Sequence, residues 1–178
     1  MRRQHRWAMT GGALLLAAAL TTACSPEPAP TPTPTGFASE EEAFEAAEAT
    51  YRAYVDALNE VDLSDPVTFE PVFATLAGDA LASEKKSLST MHADGFTVEG
   101  DTTVARVEPA AVDSSTGQVS VRLCLDVTNV RVKDASGEVV RSEGRPDQQP
   151  LNVTFVRAQT DTGLLIASSQ VSADIACG

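Results

Sequence analysis

Apolar side chains recur at helical spacing from Phe44 onward: Phe44, Ala47, Tyr51, Tyr54, Val55 and Leu58 all fall on one face. This period predicts a single amphipathic helix over residues 40–60. Ser39, followed by Glu40, Glu41 and Glu42, supplies a capping box and an acidic first turn that suits the helix dipole. Asp65-Pro66 is a second start signal, and Pro71 interrupts the segment after it, so a short or broken helix is expected near Glu70 to Ala77. Asp79 can cap a third helix running through Leu81, Leu88 and Met91 to about His92, with Gly95 as its stop.

Beyond Gly95 the period changes from 3.6 to 2. Residues 97–112, 118–133, 138–142, 151–160 and 164–175 are rich in valine, threonine and isoleucine and read as strands. Turn clusters at Ser114-Ser115-Thr116-Gly117, Ala135-Ser136-Gly137 and Asp161-Thr162-Gly163 separate them, and the polar stretch Ser142 to Pro150 reads as a loop. Short connections imply antiparallel pairing. Helices first and strands afterwards predict an α+β domain over residues 37–178, with the N-terminal helices packed on one face of an antiparallel sheet.

The first residues have a different plan. Arg2, Arg3 and Arg6 precede an uncharged stretch from Trp7 to Leu20, and Thr21, Thr22 and Ala23 lead to Cys24. Residues 1–23 therefore read as a secretory signal peptide, too short and wrongly flanked for a membrane-spanning helix. Leu20-Thr21-Thr22-Ala23-Cys24 resembles the bacterial lipobox, in which a small residue precedes a cysteine that receives a diacylglycerol. Thr21 stands where that pattern prefers leucine, and Leu20 sits one place earlier. The resemblance implies cleavage before Cys24, lipid on its sulfur and acylation of the new N-terminus. It places the protein at the extracytoplasmic face of the cell membrane, where two or three chains anchor stably and one does not. The alternative is a secreted protein with a stray cysteine. Ser25 to Gly36, reading SPEPAPTPTPTG, cannot bury a core and favours extended polyproline conformation. Residues 24–36 are then the lipidated cysteine and a spacer that spans about 37 Å when extended.

Charge narrows the partners. The formal net charge of −12 becomes −15 once the three leader arginines are gone, which repels phosphate backbones and excludes nucleic acid as a partner. Removing the leader also takes the only tryptophan, Trp7, and leaves His92 as the one histidine. That excludes a histidine-rich metal site, and a catalytic triad would have a single base. There is no glycine-rich phosphate loop, no nucleophile elbow and no paired-cysteine zinc motif, so neither cofactor nor metal is expected.

Two cysteines remain, Cys124 and Cys177, both in the predicted strand region of an exported domain. In an oxidising compartment a disulfide is expected between neighbouring strands; two buried free thiols are the alternative. Ser39 with its helix, the Asp65-Pro66 start, Val119 to Asp126 reading VSVRLCLD, the turn Lys133 to Gly137 and the C-terminal cysteine together resemble actinobacterial lipoproteins. The folded part of these proteins is similar to nuclear transport factor 2 (NTF2-like). The resemblance implies two or three helices wrapped by a strongly curved antiparallel sheet into a cone. It also implies pairing of the cysteine in Cys124-Leu125-Asp126 with the C-terminal one. Many such relatives carry a tryptophan in the last strand, where this chain has Leu164-Leu165, so its pocket would be differently lined.

Enzymes of this shape place an acid or base inside the cone opposite a hydrogen-bond donor. The candidates here are Tyr51, Tyr54, Asp56, His92 and Asp126, with Tyr51, Tyr54 and Asp126 as the candidate pocket. Packing accounts for Tyr51, and the end of a helix accounts for His92. Asp126 shares a strand face with Cys124; it is expected at a strand edge or satisfied by backbone amides, with a pKa near the ordinary 3.9 or so. Asp126, Asp134 and Glu138 fit no calcium-loop spacing. The expectation is a membrane-anchored, non-catalytic binding module. It would take a small apolar ligand in the cone, or an envelope protein or second copy of itself on the open sheet face. The alternatives are a small isomerase, dehydratase or cyclase using the cone, and a structural envelope protein with a filled cone.

Overall fold

A computed structural model describes residues 36–140 and 144–177. The leader, Cys24 and the spacer up to residue 35 lie outside the described residues. Helix α1 spans Glu40–Asn59; a 3-10 turn at Pro66–Phe69 leads into the short α2, Glu70–Phe73, and α3 spans Gly78–Ala93. The strands are β1 (Thr97–Glu99), β2 (Thr103–Asp113), β3 (Gln118–Asp126), β4 (Arg131–Lys133), β5 (Val139–Val140), β6 (Gln148–Arg157) and β7 (Leu164–Val171).

The helix signals act as expected at α1. Ser39 Oγ accepts the amide of Glu42, while Glu42 reaches back to the Ala38 amide, one residue earlier than the usual box. At α3 the cap differs. Ala77 is the N-cap with no side-chain bond, and Asp79 falls inside the first turn. The Ala77 amide is already bound to the Ile166 carbonyl, so pairing with β7 fixes the helix start in place of a polar side chain. The far end obeys its sequence: Gly95 (φ +69°) lets its own amide reach His92 O and that of Phe96 reach Met91 O.

Pairing is antiparallel throughout the strands, in two sheets ordered β2-β3-β6-β7 and β1-β4-β5. Two of the long runs seen in the sequence are therefore broken. Residues 97–112 divide at Gly100-Asp101-Thr102, and 118–133 divides at residues 127–130, so each run feeds both sheets. The strand Val139–Val140 falls within the expected run 138–142, whose residues 141 and 142 lie outside the described residues; β7 stops at Val171, and Gln148 to Pro150, read as loop, belong to β6. Pairing with Cys124, Leu125 and Asp126 of β3 recruits those three residues despite the proline. Pro109 sits beside a register shift in the edge strand β2, where a missing amide does no harm. Shifts at Val104/Arg106, Pro109/Ala111 and Thr154/Phe155 bend the large sheet.

The result is an α+β fold with helices packed against a curved antiparallel sheet. Val119, Val121, Leu123 and Leu125 of β3, with Leu151, Val153 and Phe155 of β6 and Leu164 and Ile166 of β7, line the inner face and are buried. They meet Ala43, Ala47, Tyr51 and Val55 of α1 and Val72 and Leu88 of the other helices. The small Ala43 and Ala47 let α1 lie close on the sheet.

The outer face carries charged residues as well as the paired Val156 and Leu165. Arg106, Glu108 and Arg122 form ion pairs there, at 3.5 Å and 3.9 Å. Cys124 points the same way yet is buried, because the chain after β7 crosses over it. Ser172 N donates to Pro150 O, the residue paired with Cys124, and Arg106 donates to Ala176 O. The Cys124–Cys177 disulfide closes this strap, with 5.6 Å between Cα atoms. Cys177 thus lies beyond the last strand, not in one neighbouring β3.

Candidate functional site

Tyr51 and Tyr54 lie near the middle of α1, with ring centroids 5.5 Å apart. Facing them from α3 is Glu84, a residue that the periodicity of the sequence did not single out. The Tyr54 hydroxyl donates to Glu84 Oε2 at 3.3 Å, and Tyr51 is hydrogen-bonded to the Ser169 side chain of β7. Burial, reinforced by the nearby Glu84 charge, pushes the Tyr51 phenol up to about 12; the Ser169 bond opposes it. The same two causes drive the Tyr54 phenol well above its ordinary range, so both tyrosines stay neutral donors. Glu84 is held above the usual carboxylate range by burial, against the lowering effect of the Tyr54 hydrogen bond.

Glu84 belongs to two cavities. One, of about 230 Å³, is walled by Tyr51, Tyr54, Asp79, Ser168 and Ser169. The other, of about 290 Å³, opens between the end of α1, α3 and the three-stranded sheet. Its walls are mostly apolar: Leu58, Val61, Leu63, Leu88, Met91, Val98, Val130 and Val132, with Glu84, Asn59, Ser87, Asp101 and Thr102 as polar points. The pairing Val98↔Val132↔Val140 sets three valines on one face of the small sheet, and Val98 remains 43% exposed. Asn59 fixes the rim, donating to Thr102 O at 2.9 Å and accepting its amide at 3.0 Å. A further hollow of about 250 Å³ beside Val139 and Val140 shares Met91, Val130 and Val132 with this cleft.

The candidate pocket is therefore partly assembled and partly corrected. Tyr51 and Tyr54 meet; Asp126 does not join them. Because Leu123 and Leu125 take the inward positions of β3, Asp126 turns to the outside with Cys124. Its carboxylate accepts the Thr128 amide at 2.9 Å, and the Thr128 hydroxyl and amide hold it below the usual carboxylate range. Asp56 is exposed on α1. His92 Nδ1 bonds Leu63 O at 2.7 Å, tying α3 to the segment before the 3-10 turn. Asp134 binds the amides of Ser136 and Glu138 and is occupied in its own turn. Among the described residues no cluster of three or more histidine, cysteine or acidic side chains is placed to hold a metal. A sequence signal for Glu84 did exist: it falls between Leu81 and Leu88 on the apolar stripe of α3, where a charge is out of place.

No protein-family model matches the chain, and no curated protein matches it in sequence. Solved structures share its fold. It is similar to a proposed aromatic ring hydroxylase of Novosphingobium aromaticivorans, with 12% identity and a TM-score of 0.53, covering 79% of this chain and 94% of that one. It is also similar to the intermembrane space region of the chloroplast protein ARC6, with 13% identity and a TM-score of 0.50, covering 72% and 95%. A proposed polyketide cyclase of Xanthomonas campestris pv. campestris aligns with 17% identity and a TM-score of 0.36, over 72% and 90%. The first two likenesses concern the fold alone: helices against a curved sheet, the cone expected from the NTF2-like resemblance.

Proposed function

We propose that this protein is a lipid-anchored, extracytoplasmic binding module without catalytic activity, which takes a small apolar ligand in the cleft between α1, α3 and the three-stranded sheet. The observation that carries this reading is the cleft itself: eight apolar side chains around a space of about 290 Å³, near the lower end for small-molecule sites. The disulfide supports export, since such bridges persist outside reducing compartments. No helix among the described residues is long and apolar enough to cross a membrane, and membrane attachment is assigned to lipid on Cys24. Mass spectrometry of protein from its native membrane is expected to find diacylglycerol on an N-terminal Cys24. An unmodified cysteine there would remove the anchor.

The cleft is tested by adding 1-octanol to the mature protein and tracking methyl resonances by NMR. Leu58, Leu88 and Met91 are expected to shift together and saturably; no saturable shift would overturn the reading. A second reading is a small isomerase or cyclase, favoured by one observation: Glu84, its proton held more tightly than usual, beside the Tyr54 hydroxyl at the cleft wall.

A further inference from the structure

Glu84 has a carboxylate's charge and no basic partner. None of the ion pairs among the described residues includes it. Its neighbour Lys85 is turned elsewhere, with Nζ 5.2 Å from the centroid of the Phe73 ring. Neither of the two cavities that Glu84 borders has a lysine, arginine or histidine in its wall. The charged side chains there are Glu84 itself, Asp79 on one side and Asp101 on the other, all acidic. A half-buried carboxylate left without a counter-charge costs free energy that a cationic guest would recover. The Tyr54 hydroxyl occupies one lone-pair direction of Oε2 and leaves the rest of the carboxylate available.

We propose that the guest of the apolar cleft is an amphiphilic amine, its hydrocarbon body lying among Leu58, Leu63, Leu88 and Met91 and its ammonium donating to Glu84. This rests on the cleft being a ligand site and adds the chemistry of the ligand's head. An ammonium offers up to three donors, which match a carboxylate better than a neutral hydroxyl does. The acidic surface of the mature chain also draws cations toward it. A fatty acid of equal length would bring a second carboxylate to Glu84 and be rejected.

The test compares octylamine, 1-octanol, octanoate and ethylamine on the mature protein at neutral pH. Calorimetry measures affinity, and tyrosine fluorescence reports the site, since Tyr51 and Tyr54 are the only tyrosines in the chain. Octylammonium is expected to bind at least about tenfold more tightly than octanol, as a charge-assisted hydrogen bond allows. Octanoate should bind more weakly than octanol, and ethylamine, which lacks the body, should not bind measurably. Glu84→Gln should abolish the preference for octylammonium over octanol, with circular dichroism showing the variant folded. Asp101→Asn should keep the preference. Equal affinity for amine and alcohol would overturn the ammonium proposal and leave the cleft reading standing. So would a preference that survives Glu84→Gln, which would assign it to the general acidity of the chain. Failure of all the eight-carbon probes to bind would overturn both.

Discussion

Two carboxylates in this molecule respond to pH in opposite directions, and the difference lies in what surrounds each. Asp113 is exposed, and the Ser115 hydroxyl and amide pull it down to about 2. Its contribution is present above the ordinary carboxylate range and fades as pH falls toward about 2. Asp113→Ala should therefore lower the melting temperature at neutral pH and make little difference near pH 2. Glu84 works the other way. Burial among Tyr51, Tyr54 and Asp79 makes the folded protein hold its proton more tightly than the unfolded chain. Stability is then lost as pH rises from the usual glutamate range through the raised folded value. Glu84→Gln should melt higher than wild type at neutral pH, with the gap closing as pH drops below the usual glutamate pKa. Thermal scans across pH check both. The turn-forming aspartates were open to view as Asp-x-Ser or Asp-x-Thr: Asp62, Asp113, Asp126 and Asp134 each accept the amide two residues on. That local pattern explains acidic residues that would otherwise suggest a cation site.

At the scale of elements, the break between β1 and β2 depends on Gly100. It has φ +82°, and a Cβ there would stand 2.2 Å from Asn129 O. Gly100→Ala is expected to cost more than about 1 kcal/mol in denaturant titrations, because neither the backbone angle nor the space accepts a side chain. The same change should disturb Thr102 and hence the Asn59 contacts at the cleft rim. This break also marks where sequence reading stops. Alternation of β-formers runs straight through 97–112, and only pairing with β4 on one side and β3 on the other shows that it serves two sheets. The cap at Ser39, the helix end at Gly95 and the antiparallel order were legible because their causes are local. The start of α3 was not, since its reason is a hydrogen bond to Ile166 far along the chain. Half of the site was legible for the same reason. Tyr51 and Tyr54 are one helix turn apart, whereas Glu84 joins them only when α3 crosses α1. The disulfide was legible by compartment, but not the strap that makes it, which passes over the outer face after β7 has ended. With a loop separation of 53, Cys124→Ala together with Cys177→Ala should cost about 4 kcal/mol in the chain-entropy account, measured by urea unfolding.

Taken as a whole, the domain has two ends that differ in character. At one, Gly36 and Phe37 lead the chain into α1; the Arg157 guanidinium lies 4.6 Å over the Phe37 ring, and the β2–β3 turn packs alongside. At the other, Asn59 closes α1 against Thr102 beside the cleft. The 20 residues of α1 separate these ends by about 30 Å. Under the lipid anchor proposed for Cys24, a tether would hold the domain by the end opposite its opening. On liposomes carrying paramagnetic lipid, the lipidated protein should show its strongest signal broadening at residues 114–117 and its weakest at 100–102. Under that proposed anchor, the Phe37–Arg157 contact would mark where the tether pulls on the domain, and a ligand would reach the cleft by diffusion through the aqueous layer beyond the membrane rather than by sliding out of the bilayer.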